Sequence, residues 1–211
     1  MMKNILFDLD GTITDPQEGI LNCIEYALEK LKVEKPERSS LKKYIGPPLW
    51  ESFKEMLDTE SFEEANNAVM LYRERFSDVG MFENKPYEGI HETLDKLCSK
   101  GYTLYICTSK PGVFAKKIAE HFKFAHYFKH IYGSLLDGSL VDKDKLIAHI
   151  ISEEDIVPAD SAMIGDRKYD IEGALANSLN PYAVNYGYGC EEEHKKALKI
   201  FESTKDISDF F

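Results

Sequence analysis

Residues Ile5-Leu6-Phe7 run without a polar interruption into Asp8-Leu9-Asp10-Gly11-Thr12-Ile13-Thr14-Asp15. A short apolar run closed by a turn signal predicts a strand buried on both faces, and such strands belong to parallel sheets covered by helices. Open sheets of this class collect their chemistry where the strands end. Side chains alternate along an extended chain, so Asp8 and Asp10 share one side of it. Two carboxylates that close repel unless a cation or a shared proton compensates. The opening stretch therefore restricts both the fold and the chemistry.

The rest of the chain divides into two rhythms. From Pro16 to about Met81 the apolar residues recur at helical spacing (Ile20, Ile24, Ala27, Leu28 and Leu31, then Ala65, Val69, Tyr72 and Phe76), with no strand pattern among them. Pro16 suits a first helical turn, with Asp15 as its N-cap. Lys42 to Trp50 reads as a basic turn leading into another helix. From Tyr87 onward helices alternate with strands: a helix bearing Ile90, Leu94 and Leu97, a strand at 102–107, and a helix bearing Phe114, Ile118 and Phe122. A strand at 130–133, a helix at 143–151, a strand at 161–164, a helix at 169–176 and a strand at 182–184 follow. The tail from Glu191 reads as an amphipathic helix with a short acidic end. Alternation of this kind predicts a parallel sheet with helices on both faces, all strand C-terminal ends lying along one edge. The expected architecture is α/β: a three-layer, Rossmann-like core (residues 1–14 and 83–211) carrying an inserted α-helical cap (residues 15–82).

Several function classes fall away on composition. A formal charge of −11 over 211 residues argues against nucleic-acid and anionic-membrane partners. No apolar run approaches the roughly 18 residues of a membrane span, and no signal peptide precedes the first strand, so a reducing cytoplasm is the expected compartment. Cys23, Cys98, Cys107 and Cys190 form no CxxC pair, and Cys98 and Cys107 read as buried free thiols. His121, His126 and His130 have no carboxylate or cysteine pattern around them to suggest a metal site.

The strand ends gather a consistent set: Asp8 and Asp10 after the first strand, Thr108 and Ser109 after the second, Asp166 and Asp170 after a later one. Lys143 opens an intervening helix. Carboxylates in such number select a hard cation, and Mg²⁺ binds through a few carboxylates together with a phosphate oxygen. Hydroxyl, lysine and backbone amides complete a phosphate cradle. With the charges neutralised, Asp8 can attack phosphorus and Asp10 can hand a proton to the leaving alkoxide.

Asp8-Leu9-Asp10-Gly11-Thr12 resembles the signature of the haloacid dehalogenase-like (HAD) hydrolases, in their phosphoglycolate phosphatase-like and 5′-nucleotidase-like branch. Gly165-Asp166-Arg167-Lys168-Tyr169-Asp170 is similar to the acidic metal motif of that family, and Thr108 to its second-strand hydroxyl. The resemblance implies a Mg²⁺-dependent phosphomonoesterase acting on a small phosphorylated metabolite, as a monomer or homodimer. It implies Asp8 as nucleophile and metal ligand, and Asp10 as general acid/base with its carbonyl on the metal. Asp166 and Asp170 would be the further ligands, with Thr108, Ser109 and Lys143 holding the phosphoryl group. Lys145 is a second candidate for the lysine, and Lys143 is preferred because Lys145 stands closer to the apolar stripe. Tyr44, Gly46 and Pro47 in the Gly-Pro-Pro turn of the cap are the candidates for reading the substrate. A β-phosphoglucomutase-like phosphomutase and a phosphoaspartate receiver domain are the competing readings. A roughly 65-residue helical insert and the order of the acids disfavour the receiver.

Overall fold

Six parallel strands carry the described residues, side by side in the order Phe128–Ser134, Thr103–Pro111, Asn4–Phe7, Ser161–Gly165, Asn180–Val184 and Lys199–Phe201. The computed structural model describes residues 3–211. β1 (Asn4–Phe7) lies inside the sheet, between β4 (Thr103–Pro111) and β6 (Ser161–Gly165). β5 (Phe128–Ser134) forms one edge. β7 (Asn180–Val184) leads to β8 (Lys199–Phe201) at the other. β2 (Thr14–Asp15) and β3 (Lys85–Pro86) are two-residue strands outside this sheet.

Between the strands run α4 (Ile90–Ser99), α5 (Gly112–His121), α6 (Lys143–Glu154), α7 (Lys168–Ala176) and the short α8 (Glu191–His194), and α9 (Thr204–Phe210) follows β8. Alternation sorts the strand residues between two faces. Leu6, Tyr105, Cys107 and Met163 pack with Leu146, Ile147 and Ile150 of α6 and Ala174 of α7. Each of these side chains is buried. Truncating one such leucine to alanine costs about 2–5 kcal/mol through lost transfer energy and the cavity left behind. This packing fixes the height at which β1, β4 and β6 end.

Contacts divide the chain into two units, Pro16–Lys85 and the remainder. The first is helical: α1 (Gln17–Leu31), a 3₁₀ turn over Arg38–Tyr44, α2 (Leu49–Leu57) and α3 (Phe62–Asp78). Arg75 grips Glu83 with two hydrogen bonds of 2.6 and 2.8 Å, which ties the end of α3 to the segment that follows it. The Ser61 hydroxyl caps α3 by accepting from the Glu64 N–H.

Four local expectations need correction. Pro16, not Asp15, stands at the N-cap of α1 and makes no side-chain cap, because the Asp15 carboxylate is taken by the Tyr188 hydroxyl. β4 does not stop at Cys107 but runs on to Pro111 beside β5. The tail is not one amphipathic helix: Tyr182, Ala183 and Val184 pair with Lys199, Ile200 and Phe201, and sheet pairing overrides the helical periodicity. All four cysteines are free, yet Cys98 is only half-buried, its thiol donating to the Tyr127 carbonyl.

Candidate active site

The loop after β1 is wound around one carbonyl. Leu9 O accepts from the N–H groups of Thr12, Ile13 and Thr14, at 3.3, 2.9 and 3.0 Å. The winding needs a left-handed residue, which Gly11 supplies at φ +85°. Asp8 is held at the tip of the strand by its own N–H, donated to Ile164 O at 2.9 Å. Its carboxylate is nearly buried.

β6 ends one residue before Asp166, and α7 brings Asp170 in on its first turn, where Asp170 Oδ2 accepts from the Arg167 N–H at 3.1 Å. Asp8, Asp166 and Asp170 each place a carboxylate oxygen within 4.8 Å of the others, all three residues buried. Lys143, the first residue of α6, reaches into this group. Its Nζ lies 2.9 Å from Asp8 Oδ1, 2.8 Å from Asp170 Oδ1 and 2.8 Å from Cys107 O. Lys145 instead stays in solvent and pairs with Asp142 at 2.5 Å. Helical geometry turns these two lysines onto different faces.

Burial and mutual repulsion govern the charges. Burial raises the Asp166 carboxyl well above the usual range, and the neighbouring Asp8 and Asp170 add to it. Burial likewise lifts Asp170, which Lys143 pulls back to about 6. For Lys143, burial works against the charged form, but Asp170 and Asp8 outweigh it and hold the ammonium above its ordinary value. Asp166 Oδ2 accepts from the Tyr188 N–H at 2.7 Å, while Oδ1 is buried with no hydrogen-bond partner. A set of hard oxygen donors carrying unmet negative charge fits a divalent cation.

The other residues named from sequence divide by place. Asp10 lies beyond Asp8 in the loop, paired with Lys110 at 2.8 Å. Thr108 is buried within the neighbouring strand β4, its Oγ1 accepting from the Lys110 N–H at 3.2 Å. The Ser109 hydroxyl is turned to the Val141 carbonyl, 2.9 Å away. Tyr44, Gly46 and Pro47 belong to the helical unit, where Tyr44 is buried beneath the Lys43 ammonium and Gly46 has φ +105°. His130 pairs with Glu154, and His126 lies against the Tyr127 ring. Among the described residues the acidic triad is the one group with metal-ligand spacing.

Sequence reasoning missed two contributors, Lys110 and His194, and left Tyr188, in the Tyr186-Gly187-Tyr188-Gly189 run, between lining the site and packing in a loop. Lys110 supplies a second buried ammonium; a cluster of four acids needs more than one cation, and that count was the available signal. The His194 ring bonds the Asp166 carbonyl at 2.6 Å, and the Tyr188 N–H and hydroxyl join Asp166 to Asp15. The histidine carries no local signal for such a contact.

Residues 5–184 match the model of a family described as haloacid dehalogenase-like hydrolase. The chain belongs to that family. This HAD-family chain is 47% identical over 192 residues to a 5′-nucleotidase of Pseudomonas aeruginosa, covering 90% of this chain and 86% of the other. It is 35% identical over 185 residues to the tyrosine-protein kinase PtkA of Mycobacterium tuberculosis, covering 88% of this chain and 62% of that one. A solved structure of a predicted phosphatase from Clostridium acetobutylicum superposes with a TM-score of 0.94 at 44% identity, covering 100% of this chain and 98% of the other. The α/β HAD fold and the resemblance drawn from the two acidic motifs both hold, and the chain is a phosphoric monoester hydrolase of this family. No helix among the described residues is long and apolar enough to cross a membrane.

Proposed function

We propose that this HAD hydrolase is a Mg²⁺-dependent phosphatase that cleaves a nucleoside monophosphate, or a comparably small phosphomonoester such as phosphoglycolate, through an aspartyl-phosphate on Asp8. The observation that carries the proposal is the buried approach of Asp8 to Lys143, Asp166 and Asp170. Its similarity to a 5′-nucleotidase supports the nucleotide as substrate.

Asp8, the Asp10 carbonyl, Asp166 and Asp170 would hold the Mg²⁺, which supplies charge neutralisation and polarises the phosphoryl oxygens. Lys143, with Thr108 and Ser109, holds the transferring group. The Asp8 carboxylate attacks phosphorus as the ester oxygen departs, taking a proton from the Asp10 carboxyl. The Asp10 carboxylate then removes a proton from water, which attacks phosphorus and releases inorganic phosphate and free Asp8. Burial, partly offset by Lys110, raises the Asp10 carboxyl above its ordinary value, which favours its role as a proton donor. Tyr44, Gly46 and Pro47 of the helical unit are the candidates for reading the leaving group. The substrate is a small soluble molecule met in the cytoplasm, not a nucleic acid or a lipid surface.

Phosphate release from a panel of nucleoside 5′-monophosphates, phosphoglycolate and sugar phosphates, with and without Mg²⁺, tests this reading. Asp8→Asn is expected to lose at least about 10³-fold in turnover while remaining folded. Full activity in that variant refutes the nucleophile. Sustained isomerisation of a sugar phosphate in place of phosphate release reassigns the enzyme as a phosphomutase.

A further inference from the structure

Lys110 stands apart from the residues that bind the triad. It stands one residue before the end of β4, whose pairing with β5 slips between Thr108 and Pro111. The slip is built into the backbone on both sides. Lys110 N–H donates back to Thr108 Oγ1, and the neighbouring strand accommodates the displaced chain only because residue 133 is a glycine. A β-carbon there would lie 2.4 Å from Lys110 O and 2.7 Å from Gly112 N. The bulge re-aims the side chain into the catalytic edge, as bulges beside active sites do. Its ammonium reaches Asp10 Oδ2 at 2.8 Å, with the two side chains only 7% and 12% exposed.

The two oxygens of Asp10 are thereby made unequal. Oδ2 faces Lys110, while Oδ1 is buried with no hydrogen-bond partner. Lys143 is engaged elsewhere, on Asp8 and Asp170, so each ammonium serves a different carboxylate. We infer that Lys110 is the positioning residue of Asp10: it fixes Oδ2, and so assigns the proton transfers to Oδ1. The inference rests on the reading of Asp10 as the general acid/base. Without the lysine the carboxyl group can rotate, presenting either oxygen to the leaving group and the water.

Leaving-group dependence separates positioning from simple support of the fold. The full-length chain with Mg²⁺ is mixed rapidly with a nucleoside 5′-monophosphate, whose alkoxide needs a proton, and with p-nitrophenyl phosphate, whose phenolate scarcely needs one. Lys110→Met is expected to slow nucleoside release in the first turnover by about 10²-fold, and the p-nitrophenolate burst by less than about 10-fold, with KM unchanged. Lys110→Arg, which keeps the cation, should recover most of the loss, and Lys110→Gln stands in if the methionine variant melts early. Equal losses on both substrates, a raised KM with unchanged kcat, or no loss at all would each overturn the inference. Asp10→Asn in the same assay separates the two claims. If it shows the leaving-group dependence and Lys110→Met does not, only the role of Lys110 fails. If Asp10→Asn shows none, the acid/base reading fails and the inference falls with it.

Discussion

A β-carbon on Gly11 would stand 2.2 Å from Asp166 Oδ2, so the loop after the first strand and the acid after β6 leave no room for a methyl group between them. Gly11 also holds φ +85°, where an L-residue is strained. Gly11→Ala is expected to displace Asp166, cost about 1–3 kcal/mol of stability and sharply weaken Mg²⁺-dependent turnover. Thermal melting and a Mg²⁺ titration of activity measure the two effects. Wild-type values in both would contradict the close approach.

Lys143 is the counter-ion of two buried carboxylates. Lys143→Met leaves both uncompensated, a change that costs about 3–5 kcal/mol and lowers the melting temperature by about 10 °C. Lys145→Met, which removes only an exposed pair with Asp142, should stay within about 0.5 kcal/mol of wild type. Parallel melts of the two variants decide whether the lysines differ as their surroundings require.

If the triad takes Mg²⁺, binding stabilises the folded chain by mass action. Saturating Mg²⁺ should raise the melting temperature of the wild type, and of Asp8→Asn by less. In Asp166→Asn the shift should vanish. Chelation by EDTA should abolish phosphate release and return the melting curve to its metal-free position. A shift that survives in Asp166→Asn would place the cation elsewhere.

Glu154 offers a pH dependence away from the active site. Lys129 Nζ and the Tyr132 hydroxyl lie 2.7 and 2.6 Å from its carboxylate, and the His130 ring makes a third contact. Burial pushes Glu154 up, but the hydrogen bonds from Lys129, Tyr132 and His130 outweigh it and draw the carboxyl down to about 2. A depressed folded value means a stabilising contribution that is complete above the unfolded value, near 4.5, and is lost as pH falls toward 2. Glu154→Gln should therefore cost about 1–2 kcal/mol at neutral pH, the difference from wild type shrinking across that acidic window. Urea denaturation at several pH values reads it, and a gap that widens on acidification would reverse the sign.

The sequence was most legible where a local pattern and a chemical demand coincide. Asp8 and Asp166 both follow buried strands, and Lys143 opens a helix, so strand–turn–helix grammar located them without any knowledge of contacts. Lys110 was hidden because its aim depends on a backbone slip that Gly133, on another strand, makes possible. The pattern before Pro111 reads simply as a turn. Asp15 looked like a helix cap because its competitor, Tyr188, lies at the far end of the chain. Lys199–Phe201 was lost for a different reason: three residues are too few to show a period of two, and their strand character comes from β7.

The lysine count sets an order of events. Counted as formal charges with every group ionised, Asp10 and Lys110 cancel, and the remaining three carboxylates with Lys143 sum to −2. A phosphate dianion entering that field is repelled until a divalent ion makes the site electroneutral. In the proposed reaction the cation is thus an entry requirement for the substrate. Binding should be ordered, metal first, and inorganic phosphate alone should find no foothold.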